Sequence, residues 1–300
     1  MINKGLSYLG IFFLYLLSLL PFWFLYIVSD ILFVIIYYLV GYRRKVVQQN
    51  LENAFPERTK QERHDIELKF YRFFADLMVE TIKSISISDK ELNRRVKPTN
   101  PDLVREYLAI NRSIIGVSGH YCNWELACLS ISSVTSKKYM LIYKPLSNKV
   151  IDKFFIRIRA RFGGIPVAMK LVLRKMIEFK NEPFITVLLG DQTPVRHDAS
   201  YFMKFMNQPT AVFLGVEKLA KSFDCLVVFC DVRRVKRGYY TYTIVPLVEH
   251  AKLTEPYEIT KAHVQYLENV IMEEPQYWLW SHRRWKFKPE DADNAIIDNH

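Results

Sequence analysis

The stretch Ser113-Ile-Ile-Gly-Val-Ser-Gly-His-Tyr-Cys-Asn-Trp-Glu125 joins a short apolar run to the start of an amphipathic segment. The run from Ile114 to Val117 predicts a buried strand, and Ser118-Gly119 predicts a turn at its end. Asn123 is a typical helix N-cap, so a helix should follow it. The stretch therefore predicts a strand–turn–helix junction with His120 at the tip of the strand.

The residues at this junction suggest acid–base chemistry. In open α/β sheets, ligand sites lie at the carboxyl ends of the strands. His120 can take a proton from a hydroxyl, because the ordinary pKa of histidine lies near neutral pH. Glu125, in the first turn of the helix, is predicted to hold the other ring nitrogen and fix its tautomer. A simpler interpretation stays open, in which His120 is a turn residue and Glu125 a favourable charge at a helix N-terminus.

Beyond this junction, apolar runs alternate with amphipathic segments. The predicted strands are residues 139–143, 184–189, 226–232 and 240–245, and the predicted helices are residues 60–84, 148–161, 172–179, 215–221 and 263–272. Such alternation predicts an α/β fold with a mostly parallel central sheet flanked by helices. The apolar stripe of the 60–84 helix is expected to pack against this sheet.

The N-terminal segment has the composition of a membrane anchor. Residues 5–29 carry no charged side chain, and the length of this run exceeds the roughly 20 residues needed to cross a bilayer. Asp30 interrupts this run, and residues 43–45, Arg-Arg-Lys, follow a second apolar run. The positive-inside rule then places the rest of the chain in the cytoplasm. We expect residues 1–42 to form a membrane anchor, as one span or an interfacial hairpin, and residues 43–300 to form a cytoplasmic-face domain. A buried core helix is the alternative.

The overall charge favours anionic partners. The 300 residues include 42 basic and 31 acidic side chains, for a formal net charge of +11. Anionic lipid, a phosphorylated substrate or an acidic protein would suit this balance. The chain contains no recognised nucleic-acid module, so we expect no nucleic-acid partner. Its four cysteines form no C-x-x-C pair and no second histidine lies close to His120 in the sequence, so we expect reduced cysteines, no metal and no cofactor.

Three further stretches carry candidate binding residues. Arg157, Arg159 and Arg161 precede Gly163-Gly164, and arginine at a helix end suits bidentate phosphate binding, although a solvated basic helix has the same pattern. Asp191 follows another predicted strand and would orient an arginine or an acceptor headgroup, or serve as a turn residue. The tail, residues 275–289, interleaves aromatic and basic side chains, which also suits base stacking or a membrane interface.

Together these stretches resemble the bacterial lipid A biosynthesis late acyltransferases of the lysophospholipid acyltransferase superfamily. His120 to Glu125 matches the H-x4-(D/E) motif of that family, and Tyr143-Lys-Pro-x-x-Asn148 and Asp191-Gln192 match two later elements. The tail Gln276-Tyr-Trp-Leu-Trp-Ser-His-Arg-Arg-Trp-Lys-Phe-Lys-Pro289 is the most specific match. Lys144 stands where the family commonly has arginine, so the charge is kept without the bidentate fork.

The resemblance implies a glycerol-phosphate-acyltransferase-like fold and transfer of a fatty acyl chain from acyl carrier protein to a hydroxyl of a lipid A precursor. It implies an enzyme of the bacterial inner membrane whose catalytic domain faces the cytoplasm. His120 and Glu125 would be the catalytic dyad. The residues expected to bind substrate are Lys144, Arg159, Arg161, Asp191, His282, Arg283 and Arg284.

Other functions remain open at this stage. A related enzyme would acylate another glycolipid or membrane acceptor, a non-catalytic protein would bind anionic lipid, and a thioesterase or metal hydrolase would use His120, Glu125 and Asp191.

Overall fold

A computed structural model describes residues 4–291 and 295–298, with the side chain of residue 197 excepted. The strands are β1 (Val96–Pro98), β2 (Ile114–Ser118), β3 (Tyr139–Tyr143), β4 (Ile165–Ala168), β5 (Ile185–Leu189), β6 (Tyr201–Phe205), β7 (Gln208–Ala211), β8 (Leu226–Lys236), β9 (Tyr239–Val248) and β10 (Ile296–Asp298). The α-helices are α1 (Lys4–Leu19), α2 (Phe22–Val34), α3 (Arg44–Ala54), α4 (Lys60–Lys83), α5 (Asp89–Arg95), α6 (Pro101–Ala109), α7 (Trp124–Leu129), α8 (Lys149–Ala160), α9 (Val172–Phe179), α10 (Gly215–Phe223) and α11 (Glu258–Glu273).

Seven strands form the central sheet in the order β1-β9-β8-β2-β5-β3-β4. Every neighbouring pair is parallel except β8 and β9, which form an antiparallel hairpin. The hairpin turn is Arg237-Gly238, where Gly238 has a φ of +74°, a value that favours glycine. The predicted α/β class and mostly parallel sheet are confirmed, and the main refinement is this hairpin. A separate three-stranded sheet, β10-β6-β7, was not predicted from the sequence.

Strand β2 is the centre of the sheet, and all of its residues are buried. It pairs with β5 on one side, so the carboxyl ends of these two strands are adjacent. The backbone N–H of Gly190, just after β5, donates to the carbonyl of Ser118 at 3.1 Å. This pairing brings His120 and Asp191 to the same edge of the sheet, although 71 residues separate them.

The turn after β2 depends on a glycine and a helix cap. A Cβ atom at Gly119 would lie 2.7 Å from Cδ1 of Leu267 in α11, so glycine is needed for this close approach. The side chain of Asn123 accepts from the backbone N–H of Leu126 at 3.0 Å, which confirms it as the N-cap of α7.

Helix α4 connects the N-terminal helices to the sheet. It begins with a capping box between Thr59 and Glu62. Near its end, the fully buried carboxylate of Glu80 accepts hydrogen bonds from the hydroxyls of Tyr26 and Tyr240 and from the amide of Asn123. This one carboxylate therefore joins α2, β9 and the cap of α7.

The N-terminal helices carry a large exposed apolar surface. Helix α2 runs into a π-helical turn, Ile35–Leu39, and the helix Phe22–Leu39 is long and apolar enough to cross a membrane, with a mean hydropathy of 2.1. One face of α2 packs inward, through residues such as Leu25 and Phe33. The opposite face exposes Trp23, Ile27 and other large apolar side chains, as do most positions of α1.

Candidate active site

A cavity of about 730 Å³ opens at the carboxyl ends of β2, β3 and β5. Helices α1, α4 and α8 supply much of its wall, with apolar side chains such as Phe74, Leu77, Met78 and Phe155. The polar groups that line it include His120, Glu125, Lys144, Arg159 and Gln192. An apolar cavity with a few convergent polar side chains is the usual form of a site for a small molecule or a lipid chain.

His120 is held by Asp191 through two contacts. Its ring nitrogen Nδ1 lies 2.6 Å from Oδ1 of Asp191, and its backbone N–H donates to Oδ2 at 2.9 Å. Because the carboxylate accepts from Nδ1–H, Nε2 carries the lone pair. The side-chain amide of Gln192 donates to Nε2 from 3.1 Å. The basic nitrogen of His120 therefore faces the cavity, where Gln192 is its hydrogen-bond partner.

Asp191 remains ionised in this environment. Burial raises its pKa, but attraction to His120 and hydrogen bonds from His120 and Trp278 outweigh burial and bring the pKa to about 2. The indole N–H of Trp278 donates to Oδ2 at 2.9 Å. An ionised, buried carboxylate on Nδ1 fixes the ring orientation and would stabilise the imidazolium that forms during proton transfer.

The structure places Asp191, rather than Glu125, at the orienting position of His120. Glu125 accepts instead from Arg159, with 2.6 Å between Oε1 and Nη2 and 3.3 Å between Oε2 and Nε. The prediction that Glu125 holds the histidine ring is thus corrected. The physical reason is that the β2–β5 pairing brings a carboxylate from a distant part of the chain to Nδ1.

The two arginines expected to bind substrate, Arg159 and Arg161, have different environments. Arg159 lies in the cavity, paired with Glu125, and the attraction of that carboxylate outweighs burial and raises the pKa of the guanidinium. Arg161 instead donates to the backbone carbonyls of Ser84 and Ile87 at 2.6 and 2.8 Å, at the end of α4. The contacts of Arg161 are structural and stabilise the unpaired carbonyls at a helix end. Lys144 is exposed and lines the cavity, and its role in binding stays a prediction.

The three basic residues of the tail, His282, Arg283 and Arg284, also differ in their environments. Burial lowers the pKa of His282 to about 4, so this residue is neutral at pH 7 and does not supply the expected charge. Its Nε2 accepts from the backbone N–H of Thr193 at 3.3 Å. Arg284 is buried beside Asp191, where burial lowers its pKa to about 10 without removing its charge, so it is not placed to touch a lipid phosphate. Arg283 is exposed and stays available to an anionic partner.

Several site residues were not identified from the sequence. Gln192 and Trp278 contact the His120–Asp191 pair, and the ring of Trp124 packs edge-on against the ring of His120, with 4.9 Å between centroids. Gln192 and Trp278 lie within motifs that the sequence singled out, but their partners follow only from the sheet order. Among the side chains that the structure describes, which exclude that of residue 197, no three His, Cys, Asp or Glu side chains come together as metal ligands.

Comparison with known proteins identifies the family of the chain. Residues 1–287 match the model of the family described as bacterial lipid A biosynthesis acyltransferase. The chain is 26% identical to the lipid A biosynthesis lauroyltransferase of Escherichia coli K12, over 95% of this chain and 92% of that protein. It is 24% identical to a lipid A biosynthesis acyltransferase of Haemophilus influenzae, over 91% of this chain and 85% of the relative. It is 22% identical to the lipid A biosynthesis palmitoleoyltransferase of Escherichia coli K12, over 85% and 82% of the two chains.

Proposed function

The chain belongs to the bacterial lipid A biosynthesis acyltransferase family, and we propose that it transfers a fatty acyl chain from acyl carrier protein to a hydroxyl of a lipid A precursor. Membership makes it an acyltransferase of lipid A biosynthesis. The donor, the residues that act and the place of the reaction are our proposal. The observation that carries it is the His120–Asp191 pair, whose basic nitrogen faces a large apolar cavity.

The reaction needs a base, a site for negative charge and a proton for the leaving group. The acceptor hydroxyl takes the place of the Gln192 amide at Nε2 of His120 and gives its proton to that nitrogen as its oxygen bonds to the thioester carbonyl carbon. The tetrahedral intermediate then breaks its carbon–sulfur bond, and the imidazolium returns the proton to the thiolate. Asp191 stabilises the imidazolium in between.

Arg159 supplies positive charge inside the cavity. Its guanidinium is held by Glu125 in a defined orientation, and about a quarter of its side chain stays exposed. We assign this cation to the oxyanion or to a phosphate of the acceptor, with Glu125 as the residue that positions it. The H-x4-E motif then acts as two linked parts, a base and the carboxylate that orients an arginine.

An exposed basic groove supports an acidic carrier protein as the donor. The groove has a volume of about 710 Å³ and lies between α3 and the tail, with Lys45, Arg283, Lys286 and Lys288 on its wall and one acidic residue, Glu290, among its described lining. Positive patches of this kind steer and orient acidic partners. The groove is linked to the active site, because the residue before Arg283 contacts Thr193 of the catalytic cavity.

The N-terminal helices are proposed to lie in the membrane interface rather than to cross it. The hydroxyl of Ser29 donates to Asp76 at 2.8 Å, and Asp30 pairs with Arg237 at 2.6 Å. These contacts tie the middle of α2 to α4 and to the β8–β9 turn. A transverse helix would place Asp30 in hydrocarbon at a substantial cost, whereas an in-plane helix buries only its outer apolar face. The catalytic cavity would then open toward the lipid acceptor on the cytoplasmic side of the inner membrane.

The experiment that tests this function is an acyl-transfer assay with detergent-solubilised protein. It offers a labelled acyl carrier protein thioester and a tetra-acylated lipid A precursor, with His120→Ala in parallel. We expect acylated lipid from the native protein and about 10²- to 10⁴-fold less from the variant, because His120 is the general base. Equal turnover by both proteins would refute the mechanism. Thioester consumption without acylated lipid would refute the acceptor.

The donor assignment has its own test. Reversing two charges, with Arg283→Glu and Lys286→Glu, should raise KM for the carrier thioester and leave KM for the lipid acceptor unchanged. Lys218→Glu is the matched control, because Lys218 is exposed on α10 and lies outside both the groove and the catalytic cavity. An unchanged donor KM in the double variant would remove the groove from the proposal.

A further inference from the structure

A second cavity lies on the other side of Trp124 from His120. It has a volume of about 50 Å³ and is enclosed between α6, α7 and the face of the sheet formed by β2, β5, β8 and β9. Trp124 and Leu189 line both this cavity and the catalytic cavity, so they form the partition between the two. We call the smaller space the α7 cavity.

The α7 cavity suits a hydrocarbon chain. Most of its wall is aliphatic. Its few polar groups include the hydroxyl of Ser118, which donates to the backbone carbonyl of Cys230 at 2.9 Å, and the buried hydroxyl of Tyr242, which has no hydrogen-bond partner among the described residues. A single water needs about 10–15 Å³ of such space and two to four polar partners, so the α7 cavity has room for several atoms but little to hold water. Buried residues such as Val104 and Val134 close it away from solvent. It would therefore accept one unbranched chain end and limit its length.

A glycine in the middle of β2 keeps this space open. The backbone conformation at Gly116 does not require glycine, because Gly116 is not among the described residues that have a positive φ. Nor is it required by a close neighbour, since a Cβ atom there would meet only ordinary contacts of 3.8 Å and more, to Val187, Val228 and Thr186. Glycine inside a strand weakens it and often marks the approach of a ligand. In this strand the space beside Gly116 belongs to the α7 cavity.

Resting on the proposed function, we propose that the α7 cavity receives the distal end of the donor's fatty acyl chain. The thioester carbonyl would lie at His120, and the chain would pass Trp124 and Leu189 into the cavity. Gly116 and Ala127, which line it from β2 and α7, would then select donor chain length. A lipid acceptor carries several chains and reaches the protein from the membrane, so a closed pocket for one chain end fits the donor better.

The first test is the donor chain-length profile of two opposing variants. Gly116→Val fills the cavity and should shift kcat/KM toward shorter acyl carrier thioesters, by about tenfold or more in the ratio of short to long chains, because one methylene in such a pocket is worth about 10- to 200-fold. Val187→Ala enlarges the cavity and should shift the profile toward longer chains. Ile115→Val is the control, because Ile115 is equally buried but packs in the core on the opposite face of the sheet. Unchanged donor profiles in both variants would overturn the proposal.

The second test distinguishes a role in donor binding from a role in acceptor binding. It also distinguishes failure of this proposal from failure of the proposed reaction. The same variants are assayed with acceptors whose acyl chains differ in length, and a shift confined to acceptor preference would overturn the donor assignment. Binding is also measured with the His120→Ala protein, which needs no turnover. Dodecanoyl carrier thioester should bind more weakly when Gly116→Val is added, whereas octanoyl thioester should not. Equal effects on both thioesters would refute the cavity's role, even where native transfer assays give no product.

Discussion

Replacing Asp191 with asparagine tests the central pair of the site. Oδ2 accepts from two N–H groups, the backbone of His120 and the indole of Trp278, so the asparagine oxygen must take that position. Its amide nitrogen then faces Nδ1 of His120 and donates a hydrogen to it. The imidazole proton moves to Nε2, which can no longer accept the proton of the acceptor hydroxyl.

The expected loss is large and mainly in kcat. The equivalent change in a serine protease triad lowers kcat by about 10⁴-fold through the same tautomer shift, so we expect about 10³- to 10⁴-fold here. The measurement is steady-state acyl transfer at saturating donor and acceptor. Glu125→Gln is the matched control, an isosteric change at the other carboxylate that leaves the contacts of His120 intact, and it should lose less kcat. A loss below tenfold in Asp191→Asn, together with a loss above 10³-fold in Glu125→Gln, would return the orienting role to Glu125.

The same substitution has a predictable effect on stability. The pKa of Asp191 falls from 3.8 to about 2 on folding, and one pKa unit corresponds to about 1.4 kcal/mol, so the ionised form contributes roughly 2 kcal/mol. Because the folded pKa is lowered, this contribution is present above pH 4 and is lost as the pH falls through 2. Thermal unfolding of Asp191→Asn at pH 7 should show a loss of this order. A variant as stable as the native protein would contradict the attraction between Asp191 and His120.

Three other predictions concern stability. Gly119→Ala should cost about 1–3 kcal/mol, because the new Cβ meets Leu267 at 2.7 Å, and Leu267→Ala should recover part of it in thermal unfolding. Burial lowers the pKa of His263 to about 4, so native stability should fall as the pH drops from 6.5 through 4, by up to about 3 kcal/mol, and His263→Gln should flatten that slope in unfolding measured at each pH. Arg161→Met should cost about 1–3 kcal/mol by freeing two carbonyls at the end of α4, while KM for the acceptor stays unchanged; a raised KM would restore the binding role.

The parts of the fold that the sequence predicted are those with local signals. The strand at β2, the cap at Asn123 and the helix at α4 each follow from residues within a few positions of one another. The strands β3 and β5 and the helices α8 and α9 were also placed within about a residue of their observed ends, an agreement that reflects their strong periodicity. The short strands β1, β4 and β10 were missed, because three or four residues carry too little pattern.

The partners of the site residues required the tertiary structure. His120 and Asp191 were both identified, yet their pairing depends on β5 lying beside β2, while β3 and β4, which come between them in the chain, lie farther out in the sheet. Arg161 has the same sequence signal as Arg159, but only Arg159 projects into the cavity. The position along the helix decides this, since residues two apart are separated by little more than half a turn and point in different directions.

The buried carboxylate of Glu80 joins helix α2 and the cap of α7 into one assembly. It accepts from Tyr26 of α2 and from Asn123, whose own oxygen caps α7. Moving α2 away from α4 would leave buried polar groups without partners, at about 1–3 kcal/mol each. The orientation of α2 along the protein surface is therefore coupled to the cap of α7, which presents Trp124 and Glu125 to the cavity. In the proposed in-plane orientation of α2, this coupling would place the apolar mouth of the cavity at the membrane surface, where a lipid acceptor would reach His120 without leaving its own layer.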